Sequence, residues 1–393
     1  MFSTRRIPEL TERPRSAHAK YFSISMLVTG AYLCLSLGLL AQTPDSQAPD
    51  TNQSWTTTTE SQRDDVNPTR STESHTKNGN RTLDKQSLER RGLDGRFEPY
   101  QDVEKESVQV NASTVRTTIR TFGRDSSGAK TLIQVTEEER QTLPGGNSKT
   151  VRATSNPDAN GKLQVVQHEI SETKKISRDV DETKTTVMQP SINGGMMPVT
   201  QIEERQQRNG NNTEVKKTTL LPDGAGNWQV SEVRQGTIKE GGKNRSTEER
   251  VSRPDSTGKL GEVARTVSKE AESPSGEKRN TVESYSTDIT GSTPDGKLHL
   301  VQRVTTTQNA GLVGQQSTVQ QVEQPNPGDP GAGLRLTTLT TDNLRSGPSG
   351  AQATRTIQVR DASGSLGVVS VDTAKSDNVH AIQVQIAPSD KPK

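Results

Sequence analysis

The stretch Pro157-Asp-Ala-Asn-Gly-Lys-Leu163 decides the fold. Proline disfavours helix at the residue before it. Aspartate can accept a hydrogen bond from a backbone N–H two residues on, and glycine supplies the positive φ that a tight reversal needs. The chain therefore turns here, and Leu163 restarts an extended segment. The same D-x-x-G signature returns at Asp125–Gly128, Asp223–Gly226, Asp255–Gly258 and Asp361–Gly364. Degenerate copies lie at Ser191–Gly194, Asp295-Gly296 and Asp329–Gly333. The mean step is roughly 34 residues, a period that marks a structural repeat.

Between these turns falls a second break, as at Pro144-Gly-Gly146, Asn209–Asn212 and Gly241-Gly242. Reversals then come about every 17 residues and leave strands near 12 residues long, or ~40 Å. The intervening segments are rich in Thr, Val and Ile, which suit a pleated surface. Alternation is clear in Val115-Arg-Thr-Thr-Ile119-Arg and in Ile382-Gln-Val384-Gln-Ile386. It breaks at Leu163/Val166, Leu260/Val263 and Leu298/Val301, which are three apart and so straddle both faces of a regular strand. The expected fold is mostly β: an elongated antiparallel β-meander of roughly 34-residue hairpin repeats, one sheet thick and wetted on both sides. Helix is the rival for Ile170 to Val187, where charges are spaced for i,i+4 pairs.

The runs at 157–163 and at Pro294–Leu298 resemble the tyrosine-aspartate repeats of large secreted wrapping proteins. Those place an aromatic before the aspartate, which every copy here lacks. The spacing of the turn glycines here drifts between 31 and 38. The resemblance implies a β-hairpin unit and no activity.

Composition excludes a thick core. Leu, Ile, Val and Phe together fall below the roughly 20% level typical of ordinary domains. Aromatics are 3%, and past residue 41 only Trp55, Phe97, Tyr100, Phe122, Trp228 and Tyr285 remain. A net charge of +2 gives no basic face for nucleic acid. Residues 1–20 are basic, and Tyr21 to Ala41 carry no charge, so 1–41 reads as a signal peptide or an N-terminal membrane anchor, an apolar helix in either case. Both place the rest outside the cytoplasm. Residues 42–106 read as a disordered polar linker, 107–388 as the repetitive meander and 389–393 as a flexible tail.

Chemistry is sparse. Cys34, the only cysteine, lies in the apolar segment, so the body has no thiolate chemistry. His75, His168, His299 and His380 show no metal-ligand spacing. Paired carboxylates such as Glu137-Glu138-Glu139 lie in polar runs, and the turn aspartates are one carboxylate each, too few for calcium. We expect no catalytic, cofactor-binding or metal-binding residues, no cofactor and no enzyme. Membrane contact is expected only through residues 21–41, if they are not cleaved. The expected role is a structural or adhesive repeat module of the cell envelope or surface, meeting its partners through turns and open sheet edges. The alternatives are a glycan- or peptide-binding module, with Trp228 and Tyr285 as aromatic platforms, and a largely disordered secreted protein.

Overall fold

The computed structural model describes residues 52–376, apart from 64–65, 93–94, 126, 288–296, 312–313, 327–328, 348–349 and 362. The apolar helix expected within 1–41 and the tail at 389–393 lie outside the described residues.

Twenty antiparallel strands follow one another in chain order, from β1 (Asn52–Arg63) to β20 (Leu366–Ser376). Each pairs with the next along the chain. The segments flanking Gly161, Gly226 and Gly258 lie side by side and run in opposite directions, as the turn chemistry requires. Ile170–Val187 is not a helix. It is divided between β8 (Leu163–Ser177) and β9 (Val180–Pro190), which reverse at Arg178-Asp179.

Two expectations are corrected. The meander is not an elongated ribbon, because β1 pairs antiparallel with β20 from Thr57↔Ser376 to Arg63↔Ser370. The sheet closes into a barrel and keeps no free edge. Nor is most of 42–106 a linker. β1, β2 (Val66–Asn78) and β3 (Arg81–Arg91) lie wholly within it, and β4 (Phe97–Asn111) spans its end. These strands lack apolar alternation because neither face of the wall is apolar there. They are held by the ladder and by closure, not by a core.

The hairpins divide between two rims. At one rim stand the D-x-x-G loops. In the loop at 158–162, the Asp158 N–H donates to the Lys162 carbonyl at 2.8 Å and the Gly161 N–H to the Asp158 carbonyl at 2.9 Å. Gly161 has φ +78°. This is the three-residue hairpin loop with a left-handed glycine. At the opposite rim the reversals are tighter, as at Asn209↔Asn212 around Gly210, with φ +58°.

At one common height a bulge interrupts each strand leaving the Asp rim from β4 onward, a ring of nine; β4, β8 and the β17–β18 pairing each show a further irregularity at another level. The inserted residues include Tyr100, Ile133, Val166, Val263, Val301 and Val369, each unmatched in the ladder. The Leu-x-x-Val pattern is thus a strand that changes register at valine, with leucine on the rim side. Bulges increase local twist and bend a strand. A ring of them at one height supplies the coiling that brings β20 back to β1.

Packing is thin, as composition requires. Among the described residues the buried apolar side chains are Val135, Val233, Val251, Val304 and Ala351. Several buried groups sit at or near the bulge level, including Thr121 and Val251 directly opposite it.

Candidate functional site: a wall hydrophilic on both faces, with an apolar collar at one rim

The pairing register assigns every strand residue to one of two faces. On the first face, in mid-wall, runs the row Lys174↔Glu182↔Arg205↔Lys216, next to the row Glu172↔Lys184↔Glu203↔Thr218. These residues line a cavity of about 460 Å³. Arg205 pairs with Glu182 at 2.8 Å, and Lys149 with Glu172 at 3.0 Å. Like charges lie directly opposite at Arg205↔Lys216 and again at Arg250↔Arg265. Such pairs cost stability unless acids intervene. Glu248 and Glu262, each 2.8 Å from its arginine, do so for the second pair.

The second face is built of hydroxyls. Ser107 and Thr117, Thr136 and Thr154, and Thr173 and Thr183 meet across strands at 3.0, 3.4 and 2.9 Å. Charges stand among them. Arg152 reaches Glu138 at 2.6 Å, Arg234 reaches Glu249 at 3.1 Å, and Arg355 reaches Asp342 at 2.7 Å. At mid-height, therefore, whichever face the barrel turns inward, its bore is polar.

Near the Asp rim the first face changes character. Four successive odd strands end on proline there, and in each case the next strand begins on a large apolar residue directly opposite. The pairs are Pro157↔Leu163, Pro190↔Met196, Pro222↔Trp228 and Pro254↔Leu260. Phe122↔Leu132 and Tyr285↔Leu300 continue the band. Of the five aromatics whose side chains are described, Phe97, Phe122, Trp228 and Tyr285 lie between the bulges and this rim, and Tyr100 is itself a bulge residue. Many collar residues face solvent, with Leu163 at 43% and Leu260 at 45% exposure, and the turn-tip Ile192 is fully exposed.

The turn aspartates act inside their own loops. Asp158 Oδ1 accepts the N–H groups of Asn160 and Lys162, both at 2.9 Å. Asp255 Oδ1 accepts from Thr257 at 2.8 Å and Lys259 at 3.1 Å. Their carboxyls are held below the ordinary value of 3.8, Asp158 chiefly by the Lys162 N–H and Asp255 chiefly by the Thr257 hydroxyl. Asp125, Asp223 and Asp361 repeat the arrangement. At Ser191 a serine hydroxyl takes the carboxylate's place and accepts the Asn193 N–H at 3.3 Å.

Trp228 and Tyr285 stand apart in the sheet. They belong to strands Trp228–Gly241 and Lys278–Ser286, with two others between, and Tyr285 donates to Glu283 at 2.9 Å. His75 meets Asp84 at 2.6 Å across β2 and β3. Among the described residues no three His, Cys, Asp or Glu side chains converge as metal ligands would. Sequence reading missed the collar. Its signal was present in the repeated placement of proline before the turn and Leu, Met or Trp after it.

No family model matches the chain, and no curated protein matches it. Several solved structures are similar in fold. The siderophore receptor PirA from Acinetobacter baumannii is 7% identical, with 84% of this chain and 80% of that one covered and a TM-score of 0.46. OccAB3 from the same organism is 10% identical, with 83% and 98% covered and a TM-score of 0.41. The copper transporter OprC is 6% identical, with 83% and 80% covered and a TM-score of 0.39.

The expected structural or adhesive module is corrected. That role drew on open sheet edges as well as turns, and the β1–β20 pairing removes the edges. The largely disordered alternative is overturned by the twenty strands described between residues 52 and 376.

Proposed function

We propose that this chain is a water-filled conduit for small polar solutes in the cell envelope. The observation that carries the reading is closure of a twenty-stranded sheet whose two faces are both hydrophilic at mid-height. Twenty strands spaced about 4.8 Å apart give a girth of roughly 96 Å before tilt. Sixteen to eighteen strands already suffice for an aqueous channel. The mixed charges around Arg205 and Lys184 keep such a bore wet and offer ions of either sign a partner. The basic residues before position 21 and the uncharged run 21–41 support export of the body to the envelope.

The test is conductance. Full-length chain in planar bilayers should give stepwise, ohmic currents in potassium chloride. Folded protein that inserts and passes no current would sink the proposal.

One observation favours a second reading, in which the barrel stands in water and not in lipid. A bilayer-spanning barrel presents an outward apolar band about 25 Å tall, and an Arg or Lys there costs about 2–4 kcal/mol at the midplane. Here the hydroxyl face carries Arg152, Arg234 and Arg355, and the other face carries Lys184, Arg205 and Lys216. Residues 43–393 that stay folded and monodisperse without detergent would favour this reading. Strict dependence on detergent would favour the membrane-spanning one.

A further inference from the structure

We propose that the mid-wall cavity is an oxyanion site, in which Arg205 of β10 (Met196–Asn209) and Lys216 of β11 (Asn212–Pro222) take the phosphate or carboxylate group of a small solute. The inference does not rest on the conduit reading, and it holds whichever face the barrel turns inward. Its first support is an unmet repulsion. Cations directly opposite each other on adjacent strands destabilise a sheet. The pairs Arg205↔Lys216 and Arg250↔Arg265 lie in one row of the ladder, joined through Gln235. At Arg250↔Arg265 two carboxylates answer the two guanidiniums, Glu248 on Arg250 and Glu262 on Arg265, each at 2.8 Å. At Arg205↔Lys216 only half of this is present. Glu182 holds Arg205 at 2.8 Å from the β9 side. Glu214 stands two residues before Lys216, as Glu248 stands before Arg250, yet Lys216 forms no ion pair among the described residues. An incoming oxyanion supplies the missing acceptor.

The second support is the sign of the cavity. On this face it is lined by four cations, Lys174, Lys184, Arg205 and Lys216, and by three carboxylates, Glu172, Glu182 and Glu203, all counted as charged. Glu204 also borders it but belongs to the other face, where Lys217 is directly opposite. Glu172 is drawn to a further cation, Lys149, at 3.0 Å, and Glu203 accepts the Gln201 amide at 2.6 Å. The balance is therefore positive, and Lys174 and Lys184, like Lys216, form no ion pair among the described residues. The third support is fit. A volume of about 460 Å³ lies within the range of small-molecule sites. Arginine presents a planar fork and lysine a rotatable ammonium, so the two can donate to different oxygens of one anion.

The test titrates the full chain with inorganic phosphate, and separately with succinate, at constant ionic strength set by potassium chloride. Calorimetry should show saturable binding of at least one of them. Phosphate alone would assign the site to phosphoryl groups, succinate alone to carboxylates, and both to small oxyanions in general. K216Q should weaken binding about tenfold, the loss of one charge-assisted hydrogen bond. K217Q, on the opposite face, should leave it unchanged. K216E should abolish it and, without anion, melt above the parent chain, because a carboxylate then faces Arg205. Heats that never saturate with either anion, or equal binding by K216Q and the parent, would overturn the proposal. So would a K216E chain that melts no higher than the parent, since the pair would then carry no unmet repulsion. Conductance enters none of these readouts, so failure of the conduit reading and failure of this one are distinguishable.

Discussion

At the scale of single residues, the five turn aspartates do the same work in five places, and their cost structure is simple. Each is fully solvated, and each has its pKa lowered by hydrogen bonds made only in the folded loop. A carboxyl with a depressed folded pKa stabilises the fold above its unfolded value, and that contribution is lost as pH falls through the folded one. The barrel's melting temperature should therefore drop as pH goes below the ordinary 3.8. Replacing all five with asparagine, which keeps an acceptor oxygen but no titrating group, should flatten that acid limb in a calorimetric pH series. An unchanged limb would place the acid sensitivity elsewhere. Glycine at the same loops is a backbone matter. Gly258 has φ +83° with open space where a Cβ would go, so Gly258→Ala meets no clash and should cost about 1–2 kcal/mol in a thermal melt from conformation alone. These roles were legible beforehand, because D-x-x-G encodes a local reversal that needs nothing from the rest of the chain.

At the scale of elements, strands were legible where turns announced them, and less so elsewhere. Asn78-Gly79-Asn80 between β2 and β3 is as good a hairpin signal as Asn209-Gly210-Asn211. The polarity of its flanks hides it, since a strand wetted on both faces shows no period of two. The bulges were visible only as a fault in the alternation. The valine three places after leucine looks misplaced on a regular strand because it is itself the inserted residue, with no partner across the ladder. This distinction is testable. Val263→Ala keeps the inserted residue and should change stability by less than about 1 kcal/mol. Deleting Val263 leaves Ala264 opposite Val251 and Glu262 opposite Ser252 in an unbroken ladder, so faces and register are kept and what is lost is the local bend and twist of the bulge. The deletion should broaden or abolish the cooperative melt followed by circular dichroism. A deletion variant that melts like the parent would mean the bulge contributes nothing to closure.

At the scale of the whole molecule, closure was the feature the sequence could not show. Nothing in β1 or β20 names its partner, and the 17-residue rhythm is the same for an open ribbon and a barrel. Closure is a sum over the twist of all the strands and the coiling added by nine bulges, and only the ladder between the two ends records that sum. The same pairing turns a meander with two reactive edges into one with none, which is why a solvated, thinly cored sheet of this size can remain a monomer. The seam can be trapped covalently. Glu60 and Thr373 are directly opposite in the β1–β20 register. Facing residues of an antiparallel pair are about 4.5–5.5 Å apart at Cα, within the span a disulfide bridges. In a chain with Cys34→Ser, the pair E60C/T373C should therefore oxidise to an intramolecular bond, seen as faster migration on a non-reducing gel. A loop this long should raise stability by about 5 kcal/mol, the upper end of what a disulfide supplies. E60C/V369C, which places the second cysteine at the bulge residue outside that register, is the control and should stay reduced or form dimers. If the first pair behaves like the control, the ends of the sheet are apart and the conduit has no wall. If it closes, conductance measured before and after oxidation asks directly whether a sealed seam and a current-carrying bore are the same object.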